Sequence, residues 1–262
     1  MATTDDSAAP RGTFTGKVVL ITGAGSGIGE ATARAFAAEG AIVAVSDMSA
    51  EAAERVASEI CSGGAGTALP FALDVRDGAA VAAMIDALVS RHGRLDIAVN
   101  NAGIGGSGVP LADIPEENFD RVMSTNVKGV WQCMRHEIPV MLRTGGGAIV
   151  NLASAMGLVG RANSADYVAT KHAVMGLTRS AALEYSALGV RINAVCPGVI
   201  DTPLIQVRAE KPGFLEALSA LHPIGRFGKV DDVAAAILWL ASPQSSFVTG
   251  IGLPVDGGWT AG

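Results

Sequence analysis

The chain has 262 residues, 49% of them hydrophobic, enough for one large α/β domain and too few for two comfortable ones. A formal charge of −6 without any basic run argues against nucleic acid as a partner, and no apolar run reaches the length of a membrane span. Three widely spaced cysteines, Cys61, Cys133 and Cys196, argue against a disulfide framework and for a reducing, cytoplasmic setting.

Residues 1–13 are polar, acidic and small, with no apolar segment of a secretory signal; they read as a disordered tail before a folded domain at 14–262. Lys17–Thr22 is a short apolar run expected to form a strand. It leads into Gly23-Ala-Gly-Ser-Gly-Ile-Gly29 and a helical pattern over Glu30–Glu39. A strand, a glycine turn and a helix start place backbone N–H groups and the positive end of the helix dipole where a pyrophosphate can sit. The spacing G-x-x-x-G-x-G differs from G-x-G-x-x-G, but the physical logic is the same.

The next run, Ala41–Ser46, ends in Asp47, eighteen residues past Gly29. A carboxylate there can accept hydrogen bonds from both hydroxyls of an adenosine ribose and repels a 2′-phosphate. Ser46 and Met48 flank it and no basic residue lies in the glycine turn, which favours NAD over NADP. The alternative for Asp47 is a solvated strand end.

Helix (Ala50–Cys61), strand (Thr67–Leu73) and helix (Gly78–His92) continue the alternation. Asp74-Val75 closes the third strand, where the carboxylate could meet an adenine amine or cap the following helix. A fourth strand, Leu95–Val99, runs into Asn100-Asn-Ala-Gly103, residues suited to a turn passing close to a cofactor. After a loop at Pro110–Pro115, a long amphipathic pattern runs from Glu116 to about Arg143 and contains Asn126, which either interrupts the helix or faces solvent. Cys133 and His136 lie three apart on it without a second pair, so no metal site is expected.

Gly147–Ala153 is a fifth strand, followed directly by Ser154. The helix expected over Asn163–Leu188 carries Tyr167 and Lys171, four apart and therefore on one face. Val190–Cys196 is a sixth strand, ending at Pro197-Gly198. Regular periodicity is lost from about 199 to 229, the expected substrate-covering segment. Val230–Ala241 is a last helix and Gly252–Asp256 a seventh strand. The alternation predicts an α/β fold, a single doubly wound parallel sheet of seven strands with helices on both faces. In such a sheet ligands bind beyond the strands' carboxyl ends, where nearly all of these candidates fall.

In Thr22-Gly-Ala-Gly-Ser-Gly-Ile-Gly29, Asn100-Asn-Ala-Gly103, Asn126, Ser154, Tyr167-Val-Ala-Thr-Lys171 and Pro197-Gly198, the chain resembles the short-chain dehydrogenase/reductase family over residues 14–262. The resemblance implies a Rossmann-type domain with Tyr167 as general acid/base and Lys171 as its activator and a ligand of the nicotinamide ribose. It implies Ser154 as the substrate-oxygen donor and Asn126 as part of a water-linked proton path through Lys171. It further implies cofactor contacts from Gly23, Ser26, Gly27, Ile28, Gly29, Asp47, Asp74, Val75, Asn101, Ala102, Gly103, Tyr167, Lys171, Pro197, Gly198 and Thr202, and a homotetramer. The His222–Gly228 run and the Asp256-Gly-Gly-Trp-Thr tail look like the branch of cyclic-alcohol and cyclohexadienediol dehydrogenases, with similar segments near 3-oxoacyl-carrier-protein reductases and sugar dehydrogenases.

The chemistry is consistent: free tyrosine titrates near ~10, and a neighbouring ammonium lowers that value towards a useful base. Expected pocket walls are Ile104–Val109, Ala155–Arg161 and Thr202–Phe227, with Ile104, Met156, Val159, Leu204 and Ile205 making them chiefly apolar. They suit a mostly hydrophobic secondary alcohol or ketone. Arg161 reads as an exposed loop arginine without a ligand. A serine hydrolase competes poorly, since Ser154 is in no G-x-S-x-G elbow and no histidine has a triad context. The remaining alternative is a catalytically silent dinucleotide-binding regulator or scaffold. Surplus apolar positions (Val127, Val130, Trp131, Met134, Val174, Leu177, Ala181) are compatible with an assembly.

Overall fold

The computed structural model describes residues 12–64, 66–202 and 219–262. Most of the expected tail and the expected wall residues Leu204 and Ile205 lie outside the described residues. Seven strands pair in parallel in the order β3-β2-β1-β4-β5-β6-β7. They are β1 (Val18–Thr22), β2 (Ile42–Asp47), β3 (Thr67–Ala72), β4 (Ile97–Asn100), β5 (Gly147–Leu152), β6 (Val190–Pro197) and β7 (Gly252–Val255).

Side chains alternate across each strand, so a strand buried on both faces is a near-continuous apolar run, with most buried polar side chains hydrogen-bonded. Val18 and Leu20 of β1 pack with Leu88, Met134 and Val174 on one face, while Val19 and Ile21 pack with Phe36, Ile60 and Ile237 on the other. The helices behind the first face are α3 (Gly78–His92), α5 (Gly129–Arg143) and α6 (Ala165–Tyr185). Behind the second are α1 (Gly27–Ala38), α2 (Ala50–Ser62) and α7 (Val230–Ala241). The expected doubly wound sheet is therefore the observed one.

Because β1 pairs with both β2 and β4, the chain reverses direction across the sheet there. The loops after β1 and β4 leave to opposite sides and open a crevice between them. Helix α1 starts earlier than expected, as Gly27–Gly29 form its first turn. The long pattern after residue 115 is two helices, α4 (Glu116–Met123) and α5, joined by a π-turn at Ser124–Lys128 with Asn126 buried inside it. Asp77, not Asp74, caps α3, accepting from Ala79 N and Ala80 N.

Beneath the crevice, Asn100 Nδ2 donates to Asn151 Oδ1 (3.0 Å) and to Glu137 Oε2 (3.1 Å), and Asn151 Nδ2 donates to Thr178 Oγ1 (2.9 Å). Glu137 is fully buried, its Oε1 has no partner among the described residues, and burial pushes its carboxyl up to about 8, with the Asn100 hydrogen bond opposing. Its titratable neighbour is Cys133, one turn away and itself raised by burial and by Glu137. A carboxyl that titrates higher folded than unfolded favours the fold fully at low pH. That contribution is lost as pH rises from about 4.5 to about 8. Glu137→Gln should remove this slope, gaining roughly 3 kcal/mol relative to the unmodified protein between pH 5 and pH 8. Urea unfolding at the two pH values measures it; parallel curves would contradict it.

Candidate active site

The crevice is a cavity of about 490 Å³ at the strands' carboxyl ends. One side is the glycine turn. Gly23 and Gly27 adopt φ of +63° and +57°, a region open to glycine at little cost. A Cβ on Gly29 would stand 2.2 Å from Gly23 O, so only glycine lets the helix start so close to the strand end. Ser26 is the N-cap of α1, and its side chain makes no capping bond, leaving its hydroxyl and the helix terminus facing the crevice.

Asn101 clips the two turns together. Its Nδ2 donates to Thr22 O and Gly23 O, each at 2.9 Å, while Thr22 Oγ1 accepts from Asn101 N and Ala102 N. Asp47 lies at the end of β2, its Oδ2 accepting from Gly25 N (2.9 Å) and its Oδ1 from Ser49 N (3.0 Å). Thr202 Cγ2 would lie 3.6 Å from a Cβ on Gly27, across the crevice mouth.

Gly23, Ser26, Gly27, Ile28, Asp47, Asn101, Ala102, Gly103, Pro197, Gly198 and Thr202 all line the cavity. Three expected contacts do not. Gly29 acts by its lack of a side chain, and Val75 is buried against Gly129. Asp74 is turned to Arg76, whose Nε lies 2.9 Å from both of its carboxylate oxygens and whose guanidinium holds the carboxyl below its ordinary value.

The basic residue that sequence spacing did not reveal is Arg55, on the neighbouring helix. Its Nη2 donates to Gly25 O (2.9 Å) and to Glu30 Oε2 (2.8 Å), and its Nη1 to Glu59. Both acids also pair with Arg34, so the charge beside the turn is balanced.

The other side is the chemical wall. Ser154 follows β5 and caps a short 3₁₀ turn, its Oγ accepting from Met156 N (3.1 Å). Tyr167 and Lys171 share the face of α6 that lines the cavity. Lys171 is 4% exposed, donates to Leu152 O (2.8 Å), and holds its Nζ 5.4 Å from the Tyr167 ring centre. Burial pushes this ammonium down to about 8, with a small opposing contribution from Cys196. Asn126 Oδ1 accepts from Ile104 N (2.8 Å) and its Nδ2 donates to Ile104 O (2.9 Å), pinning the loop after Gly103. A Cβ on Gly103 would lie 3.2 Å from Asn126 Oδ1 and 3.7 Å from Lys171 Nζ, which brings those two groups to the same corner.

One residue of this wall carries no sequence signal. Asp166, 1% exposed, accepts from Ser107 N (2.7 Å), Ser107 Oγ (2.6 Å) and Tyr167 N (2.8 Å). It thereby ties the Ile104–Gly108 loop to the helix turn bearing Tyr167. Gly106 sits in the contact, where a Cβ would be 2.4 Å from Asp166 Oδ1. Ile104, Met156 and Trp259 supply the apolar lining, whereas Val159 does not reach the cavity. His172 is exposed, with Nδ1 near Val168 O, and no group of His, Cys, Asp or Glu among the described residues is placed to hold a metal.

Residues 23–260 match the family model described as enoyl-(acyl carrier protein) reductase. The chain is 44% identical over 250 residues to 2,5-dichloro-2,5-cyclohexadiene-1,4-diol dehydrogenase of Sphingobium indicum, covering 95% of this chain and 98% of that protein. It is 46% identical over 249 residues to cyclohexanol dehydrogenase of an Acinetobacter species, covering 95% and 96%. A crystal structure of 3-ketoacyl-(acyl-carrier-protein) reductase from Brucella melitensis complexed with NADH superposes with a TM-score of 0.85 at 40% identity, covering 94% of this chain and 99% of that one.

Proposed function

The chain belongs to the short-chain dehydrogenase/reductase family, and from that premise we propose that Tyr167 is the general acid/base of an NAD-preferring enzyme acting on a mostly apolar secondary alcohol. The reaction class is hydride transfer between a nicotinamide dinucleotide and a secondary alcohol or ketone. The observation that carries the assignment of Tyr167 is the buried Lys171 ammonium held 5.4 Å from its ring inside the crevice.

A cradle that any Cβ at Gly29 would fill, an uncapped helix N-terminus and a carboxylate at the end of β2 fit a dinucleotide. Bound there, it supplies the hydride acceptor. The rest is the protein's own work. Tyr167 takes the hydroxyl proton in oxidation and returns it in reduction. Lys171 lowers the cost of the phenolate, and a lysine titrating at about 8 gives up and regains a proton near neutral pH. Ser154 holds the substrate oxygen, and Asn126 keeps the loop and the Lys171 corner in register. Ile104, Met156 and Trp259 exclude water from an apolar substrate.

Asp47 supports NAD over NADP, because a 2′-phosphate would meet its carboxylate. The arginine that could compensate, Arg55, is held by Glu30 and Glu59. We expect kcat/KM for NADH formation from a panel of secondary alcohols to exceed that for NADPH formation by at least about 10-fold. Asp47→Ala should narrow the ratio. Equal or better rates with NADP in the unmodified protein would refute the preference.

A cytoplasmic homotetramer completes the proposal. Val130, Met134, Val174 and Ala181 are already core within one chain, contrary to their expected surplus. Val127, Trp131 and Leu177 remain partly exposed and are available to an interface.

A further inference from the structure

Arg161 lies in the loop between the 3₁₀ turn after Ser154 and helix α6; it does not itself line the cavity, but it stands beside Trp259, which does. It makes no hydrogen bond or ion pair among the described residues. Arg34, Arg55, Arg76, Arg94 and Arg226 each hold a carboxylate. Arg191 is the instructive comparison: like Arg161 its guanidinium is disfavoured by burial, but it donates to Ser242 O (3.1 Å) and Val248 O (3.2 Å). Arg161 shares the partial burial without a protein acceptor among the described residues, so its half-exposed guanidinium keeps donors open to a ligand.

Its position is set by an aromatic ring. The Arg161 guanidinium lies 5.5 Å from the centre of the Trp259 indole, and Trp259 itself lines the cavity. The Trp259 ring is in turn held edge-on by the buried His222 at 5.7 Å. The indole face attracts the guanidinium, while its N–H donors remain available to a planar acceptor.

We propose that Arg161 binds a carboxylate borne by the substrate, so that the alcohol oxidised at Tyr167 is a mostly apolar ring with one anionic substituent at its far end. The assignment rests on the dehydrogenase reading and refines its substrate class. A single cation beside an otherwise apolar wall matches a singly charged carboxylate better than a dianionic phosphate. The dinucleotide's phosphates belong to the glycine turn on the opposite side.

The test compares cyclohexanol with 4-hydroxycyclohexanecarboxylate as substrates for NADH formation at neutral pH. The unmodified protein should favour the acid by about 10- to 100-fold in kcat/KM, expressed mainly in KM and shrinking with added salt. Arg161→Gln, which removes the charge and leaves a shorter polar amide, should abolish most of that preference, and Arg161→Lys should retain part of it. No preference for the acid, or the same preference in Arg161→Gln, would overturn the assignment while leaving the dehydrogenase reading intact. Turnover of neither alcohol would overturn both.

Discussion

Tyr167→Phe should lower turnover by a factor of about 10³ or more while leaving NADH affinity unchanged. General acid/base catalysis by a positioned side chain contributes typically 10²–10⁴-fold, and Tyr167 is the group in the cavity placed beside a buried ammonium. The substitution removes one hydroxyl and keeps the ring over which Lys171 sits, so the packing of α6 persists. Loss of turnover with retained binding also separates an enzyme from a silent dinucleotide-binding regulator. Steady-state rates alongside a fluorescence titration of NADH provide the comparison, and unchanged turnover would sink the assignment.

The second large effect belongs to a residue with no side chain. Gly29→Ala should cost about 1–3 kcal/mol of stability and weaken NADH binding more than 10-fold. The added methyl would stand 2.2 Å from Gly23 O and 2.6 Å from Asn101 Nδ2, so either α1 moves outward or the clip between the two turns opens. Both outcomes displace the helix terminus from the crevice. Gly160→Ala is the internal control, because nothing lies within 4 Å of the corresponding position. Denaturant unfolding and NADH titration should find the control near the unmodified protein; equal behaviour of the two variants would contradict the cradle.

Much of this was legible because parallel strands buried on both faces are continuous apolar runs, and helices between them have their own period. Val18–Thr22 and Ile42–Ser46 announce themselves in this way, and the carboxyl ends of the strands carry the glycine turn, Asp47, Asn101, Ser154 and Pro197. What stayed hidden depends on contacts between distant segments. Arg55 reaches the glycine turn from thirty residues away, and no spacing in the sequence reports that reach. Asp166 looks like an ordinary first-turn acid until Ser107, 59 residues earlier, is placed against it. Asp74 stands at a strand end as a ligand would, and only the structure shows that it also pairs with Arg76. Asn126 suggested an interruption, and the π-turn is that interruption, but its two bonds to Ile104 follow only from the packing of loop against helix.

The most direct test of hydride transfer in this crevice uses cyclohexanol deuterated at the carbinol carbon, incubated with the protein and NAD. Mass spectrometry of the recovered cofactor should find the deuterium in NADH, with Tyr167→Phe producing almost none. Deuterium released to solvent, or labelled NADH formed equally by Tyr167→Phe, would contradict the account.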